Sequence, residues 1–130
     1  MIAGVGIDLC EIARMERNLT NGHFLTRFFA PEEQTYIQSK GRGAAQSMAG
    51  IFAAKEALTK VLGTGLTVGE LADICVLHDE AGVPYYDLRG AVAEAAVLRG
   101  ITGVFLSITH ENGMAAAVAV AERSEAPCGY

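Results

Sequence analysis

No stretch of this chain reaches the roughly 18 consecutive apolar residues that suggest a membrane span, although hydrophobic residues make up 51% of it and mean hydropathy is +0.27. Cysteine is scarce. Cys10, Cys75 and Cys128 form an odd set with no Cys-x-x-Cys pair, which fits a reduced, cytoplasmic compartment. Cys10 reads as a small hydrophobe. Basic residues are outnumbered, 10 against 15 acidic, for a net charge of −5 and a pI near 5.1. That argues against a general nucleic-acid binder. It leaves room for an acidic partner where positive charge is concentrated locally. No basic segment precedes the apolar start, so the N-terminus reads as a first strand and not as a signal peptide. No internal repeat and no second domain is visible.

What is present suits one domain over residues 1–123, with Ser124 to Tyr130 as a flexible tail. A chain of 130 residues buries roughly two-thirds of its unfolded surface. Ala and Gly supply much of the apolar content, so elements pack closely, and part of the apolar surface is available for a subunit interface. Ile2 to Ile7 reads as a buried strand, and Asp8 as the start of a helix to about Leu19, broken at Asn21-Gly22. Pro31-Glu32-Glu33 opens a helix, with proline in the first turn and acids at the positive end of the dipole. Lys40 to Gly43 reads as a mobile basic loop.

The central helix runs from about Ala44 to Leu62, and Met48, Ile51, Ala54, Leu58 and Leu62 share its apolar face. Lys55 falls inside that arc, an unusual place for a charge. Ile74 to Leu77 and Val83 to Leu88 form a hairpin, with Pro84 at an edge or a strand start. Gly90 to Leu98 is helical and stops at Gly100. Asn112-Gly113 between two strand-like runs is a strong type I′ hairpin signal, placing Glu111 opposite Met114 and His110 opposite Ala115. The whole is α+β with an antiparallel sheet and packed helices.

Several residues have two readings. Asp8 caps a helix, with Glu11 three residues on as in a capping box, or ligates a metal; both roles are compatible. Glu56 and Lys60 form an i, i+4 surface pair worth about 0.2–0.5 kcal/mol, or Glu56 binds Mg²⁺ while Lys60 meets a phosphate. Gly63-Thr64-Gly65 is a glycine helix stop, with a second role in letting a ligand approach the backbone; it is not a P-loop, whose glycines precede a helix. His110 alone is a hairpin-tip histidine. Arg14 and Arg17 share a helix face, followed by Arg27, as a solvated face or a patch that steers an acidic partner.

Four motifs then occur together in order: Gly4-Val5-Gly6-Ile7-Asp8, Phe52-Ala53-Ala54-Lys55-Glu56-Ala57 with Lys60, Gly63-Thr64-Gly65, and Ser107-Ile108-Thr109-His110. By these the chain resembles the holo-acyl-carrier-protein synthases, the small class of 4′-phosphopantetheinyl transferases, over about Ile2 to Glu122. The resemblance implies their fold and a cytoplasmic, Mg²⁺-dependent enzyme of lipid metabolism and fatty-acid biosynthesis. Such an enzyme moves 4′-phosphopantetheine from coenzyme A to a serine of apo-acyl-carrier protein. It implies Asp8 and Glu56 as metal ligands and Lys60 at the leaving phosphate. Gly63, Thr64, Gly65, Thr109 and His110 would lie at coenzyme A. The serine proton would go to a bound water or to a carboxylate such as Glu56. Arg14 and Arg17, helped by Met15 and Phe24, would dock the carrier protein. A homotrimer with coenzyme A between neighbouring subunits is implied too. One departure stands out: many relatives have a basic residue where this chain has Ile51, and Lys40 or Arg42 would have to compensate.

Overall fold

A computed structural model describes residues 1–63 and 68–124 of the chain. Strand β1 (Ile2–Glu11) leads into a short helix α1 (Ile12–Glu16), then α2 (Gly22–Phe28), α3 (Pro31–Gln38) and the long α4 (Ala44–Leu62). A hairpin of β2 (Ile74–His78) and β3 (Pro84–Leu88) follows, then α5 (Gly90–Leu98) and a second hairpin, β4 (Ile101–Glu111) with β5 (Met114–Arg123). The sheets are antiparallel, one ordered β1-β5-β4 and one of β2-β3. This is the expected α+β architecture. The tail expected beyond Arg123 lies outside the described residues apart from Ser124. Among the described residues no helix is long and apolar enough to cross a membrane.

The hairpins form where turn chemistry demands them. Asn112 and Gly113 both take positive φ, 51° and 77°, as a type I′ turn requires, and Glu111 pairs with Met114 and His110 with Ala115. Pro84 opens β3, so its missing N–H interrupts no ladder.

Three local expectations give way. Asp8 does not start a helix: β1 continues to Glu11, because β5 offers a full row of backbone partners from Met114 to Glu122. The helix that follows ends at Glu16, well short of Leu19. Asn21 does not simply break a helix but starts one, its side chain accepting a hydrogen bond from the Phe24 N–H. The Lys40–Gly43 loop is wound into a 3-10 turn at Gly41–Gly43 that feeds directly into α4.

The core is built on α4 lying across an unusually smooth sheet face. Ala115, Ala117, Ala119 and Ala121 alternate inward along β5 and are buried. Near its start α4 crosses β4, with Gly50 against Ile108; further on it crosses β1, with Ala57 against Gly6 and Val61 against Gly4. A Cβ placed on Gly6 would stand 2.0 Å from the Ala57 carbonyl oxygen. The paired glycines of the N-terminal motif therefore let a helix backbone and a strand backbone touch. The other side of α4 carries the large groups: Met48, Ile51, Leu58 and Leu62 are buried as their spacing predicts.

In an ordinary strand Gly→Ala stabilises slightly. Here the sign reverses. Gly6→Ala should destabilise the protein by about 1–3 kcal/mol, read by urea unfolding. A change within about 0.5 kcal/mol would mean that α4 does not approach β1 this closely.

Candidate active site

The crossing at Gly6 and Ala57 brings three of the expected residues together. Asp8 points inward two residues along β1 from Gly6, and Glu56 and Lys60 stand one turn apart on α4. Lys60 Nζ donates to Asp8 Oδ1 at 3.0 Å and to the Ile7 carbonyl at 2.8 Å. The i, i+4 reading of Lys60 with Glu56 is thus replaced by a strand-to-helix pair, and the capping reading of Asp8 falls because its carboxylate serves Lys60. No hydrogen bond holds the Glu56 carboxylate among the described residues. Burial, and then the Asp8 charge, push it above its ordinary pKa, against the pull of Arg14 and Lys60. Asp8 and Lys60, with Ile7 and Leu9, border a concavity of about 310 Å³, and Glu56 feels the charges of Asp8, Arg14 and Lys60.

Arg14 borders the same place. Its guanidinium lies 5.0 Å from the centroid of Phe52, one turn before Glu56. Phe52 is surrounded by Phe24, Phe28 and Phe29. Phe24 is only partly buried and remains open to a partner, but Met15 is fully buried and offers no docking surface. Met15, one residue on from Arg14, turns into the core. Arg17 is exposed, 3.9 Å from Glu11, and Arg27 lies over Phe28.

Gly63 takes φ of 80° just after α4, with its N–H on the Thr59 carbonyl, so the glycine stop is observed. Thr64 and Gly65 lie outside the described residues. Thr109 and His110 fall on opposite faces of β4. Thr109 is exposed, away from the helices. His110 meets Gln46 of α4 at 2.9 Å. With Gln46, Tyr36, His78 and Pro84, His110 lines a separate cavity of about 260 Å³. β4 and β1 are the two edges of the sheet, so this cavity and the Asp8 centre flank α4 from opposite sides. Among the described residues of one chain they do not form one cleft. Ile51 is buried, 1% exposed, and contributes to the core.

Sequence reading missed the partner of Lys55. Lys55 and Glu33 of α3 are both 0% exposed and meet at 2.6 Å. Lys55 also donates to the Leu71 and Ile74 carbonyls, and Glu33 accepts from the backbone N–H groups of Ala30 and Val76. The signal was available: a lysine inside an apolar arc requires a buried acid, and Glu33, at the third position of a helix, already reaches back to the cap.

Comparison with known proteins agrees along nearly the whole chain. The model of the 4′-phosphopantetheinyl transferase superfamily matches residues 4–119. A holo-[acyl-carrier-protein] synthase of Treponema denticola is 48% identical over 122 residues, covering 94% of this chain and 99% of that protein. The crystal structure of the holo-[acyl-carrier-protein] synthase of Neisseria meningitidis superposes with a TM-score of 0.82 at 33% identity, covering 95% of this chain and all, 100%, of the other. That of Helicobacter pylori, in complex with coenzyme A, gives 0.75 at 34% identity, covering 91% and 99%.

Cys10 sits beside this centre, 4% exposed, its thiol pushed up to about 11 chiefly by burial. At pH 8 only about one thiol in a thousand is then ionised. Peptide-level mass spectrometry should find Cys10 unmodified after native protein meets a thiol reagent at pH 8, and modified after denaturation. Rapid native labelling would reopen a nucleophilic role.

Proposed function

The chain belongs to the 4′-phosphopantetheinyl transferase superfamily, among its holo-acyl-carrier-protein synthases, and from that premise we propose the reaction and the residues that carry it. The enzyme moves the 4′-phosphopantetheine arm of coenzyme A to a serine hydroxyl of an apo-acyl-carrier protein. A serine O–P bond forms, the pyrophosphate P–O bond breaks, and adenosine 3′,5′-bisphosphate leaves with the electron pair. The observation that carries this reading is the convergence of Asp8, Glu56 and Lys60 at one helix–strand crossing.

The donor set fits Mg²⁺. Among the described residues no group of three or more His, Cys, Asp or Glu side chains gathers as a cage. Mg²⁺ does not need one: it commonly takes one or two carboxylates, and waters and substrate phosphates complete the octahedron. Asp8 and Glu56 would hold it; burial first and the Asp8 charge second raise the pKa of Glu56, and a bound cation would offset both. When bound, the ion would neutralise charge on the phosphate oxygens. Lys60 would leave Asp8 for the leaving phosphate, a short swing for a side chain that is half exposed. Phosphoryl transfer asks mainly for such positioning and charge stabilisation. A bound water, or Glu56, whose carboxylate no hydrogen bond holds among the described residues, would take the serine proton. Arg14 and Arg17 would draw an acidic carrier protein to the mouth of the site.

The outer face of the sheet supports a homotrimer with shared sites. Val5, Ile7 and Leu9 of β1 and Phe105 of β4 are each more than half exposed, at 59%, 64%, 61% and 57%, a contiguous apolar surface too large to leave in water without purpose. Thr109 lies on that face. Joining copies through it would carry the His110 wall of one chain toward the Asp8 centre of the next, closing over coenzyme A a site that one chain leaves in two halves.

Incubating apo-acyl-carrier protein with coenzyme A, Mg²⁺ and this enzyme should raise the carrier's intact mass by one phosphopantetheine. EDTA should abolish the gain, and Glu56→Gln should cut the rate at least about 100-fold while leaving the circular-dichroism melt unchanged. Transfer that survives both would remove the metal-site assignment. Sedimentation equilibrium should give three 13.7 kDa chains per particle, and Phe105→Asp should yield monomers with little transfer. A wild-type monomer at working concentration would undo the shared-site reading.

A further inference from the structure

The active-site half of α4 rests on a surface with little relief. Its neighbours there are Gly6, against Ala57, and Gly4, against Val61, beside the buried inward alanines of β5. Small side chains bring backbones close but offer few knobs to hold a helix in one rotation. The consequence for the site is large. A side chain ends about 5–6 Å from the helix axis, so a turn of about 20° carries it about 2 Å. A misplacement of about 1 Å can cost about 100-fold in rate.

The buried and part-buried directional contacts that bear on that rotation are the Tyr86 hydroxyl, which donates to the Ala54 carbonyl at 2.6 Å, and above all the Lys55 ammonium. Lys55 precedes Glu56 by a single residue, about 100° around the helix, and its ammonium is held by Glu33 Oε1, the Leu71 carbonyl and the Ile74 carbonyl at 2.6, 2.9 and 2.7 Å. Glu33 is fixed in turn by backbone N–H groups of Ala30 and Val76 at 2.8 and 2.9 Å. We propose that the buried Glu33–Lys55 pair consists of positioning residues for catalysis. It locks α4 in the rotation that presents Glu56 and Lys60 to Asp8, from a different face of the helix and without touching substrate. This rests on the transferase reading above.

The alternative is a pair that only stabilises. The two separate because a buried ion pair replaced by apolar residues of similar size often leaves stability intact, whereas removal of one partner leaves a stranded charge. Lys55→Met should lower the melting temperature, and Glu33→Met/Lys55→Met should recover most of it. In the recovered double variant, kcat at 25 °C should stay at least about 10-fold down, and the affinity for Mn²⁺, followed by electron paramagnetic resonance, should fall several-fold. Restored stability with restored kcat and Mn²⁺ affinity would overturn the proposal. Failure of the double variant to fold would overturn it too, since the pair would then serve the fold and not the alignment. Wild-type protein that transfers nothing would count against the transferase reading, and the Mn²⁺ titration would still report the alignment.

Discussion

The buried Glu33–Lys55 ion pair is the constraint around which this molecule is arranged. Taking two charges out of water is expensive, and burial drives both toward neutrality, raising the carboxyl and lowering the ammonium. The pair persists because four backbone groups are spent on it. Two N–H groups point at the carboxylate and two carbonyls at the ammonium. Those groups come from the start of α3, the 3-10 turn before β2, and β2 itself. One interaction therefore ties the second sheet and α3 to the middle of α4, while α4 is laid on the first sheet mainly by small side chains, with Lys60 and Gln46 hydrogen-bonded to its two edges.

That division explains the composition. A chain rich in Ala and Gly has few large side chains to interlock. It gains closeness instead: Gly6 and Ala57 put a strand and a helix at backbone contact, and that closeness lets a short aspartate on β1 meet a lysine on α4. The apolar residues missing from the inner sheet face appear on the outer one, as Val5, Ile7, Leu9 and Phe105. An apolar face of this kind is costly to leave in water. The polar chemistry thus occupies the margin between a dry inner face and an apolar outer face.

Local sequence was a good guide wherever a structure is held by its own residues. The Asn112-Gly113 turn, the Pro84 strand start, the glycine stop at Gly63 and the full length of α4 were all legible from turn chemistry or helical period. The errors share one cause. Asp8 with Glu11 carries a valid capping pattern, but β5 supplies a ladder that the local pattern cannot see. Lys60 has a good i, i+4 partner in Glu56, but Asp8, remote in sequence, is the partner it takes. Met15 lies among charged residues on a short helix, and only the packing of α1 against α4 shows that it points inward. Lys55 was recognisable as anomalous, while its partner in another helix was not.

The sequence by itself determined which elements exist and which residue types could carry chemistry: carboxylates, a lysine and glycines at the spacing of a known family. These follow from short-range physics, the period of a helix, the φ of a turn, the missing N–H of proline. Tertiary structure decided which of those residues meet. A carboxylate on β1 and two charges on α4 form a centre because a missing Cβ lets two backbones touch and a buried ion pair turns the helix the right way. Thr109 and His110, adjacent in sequence, are sent to opposite faces because a strand alternates.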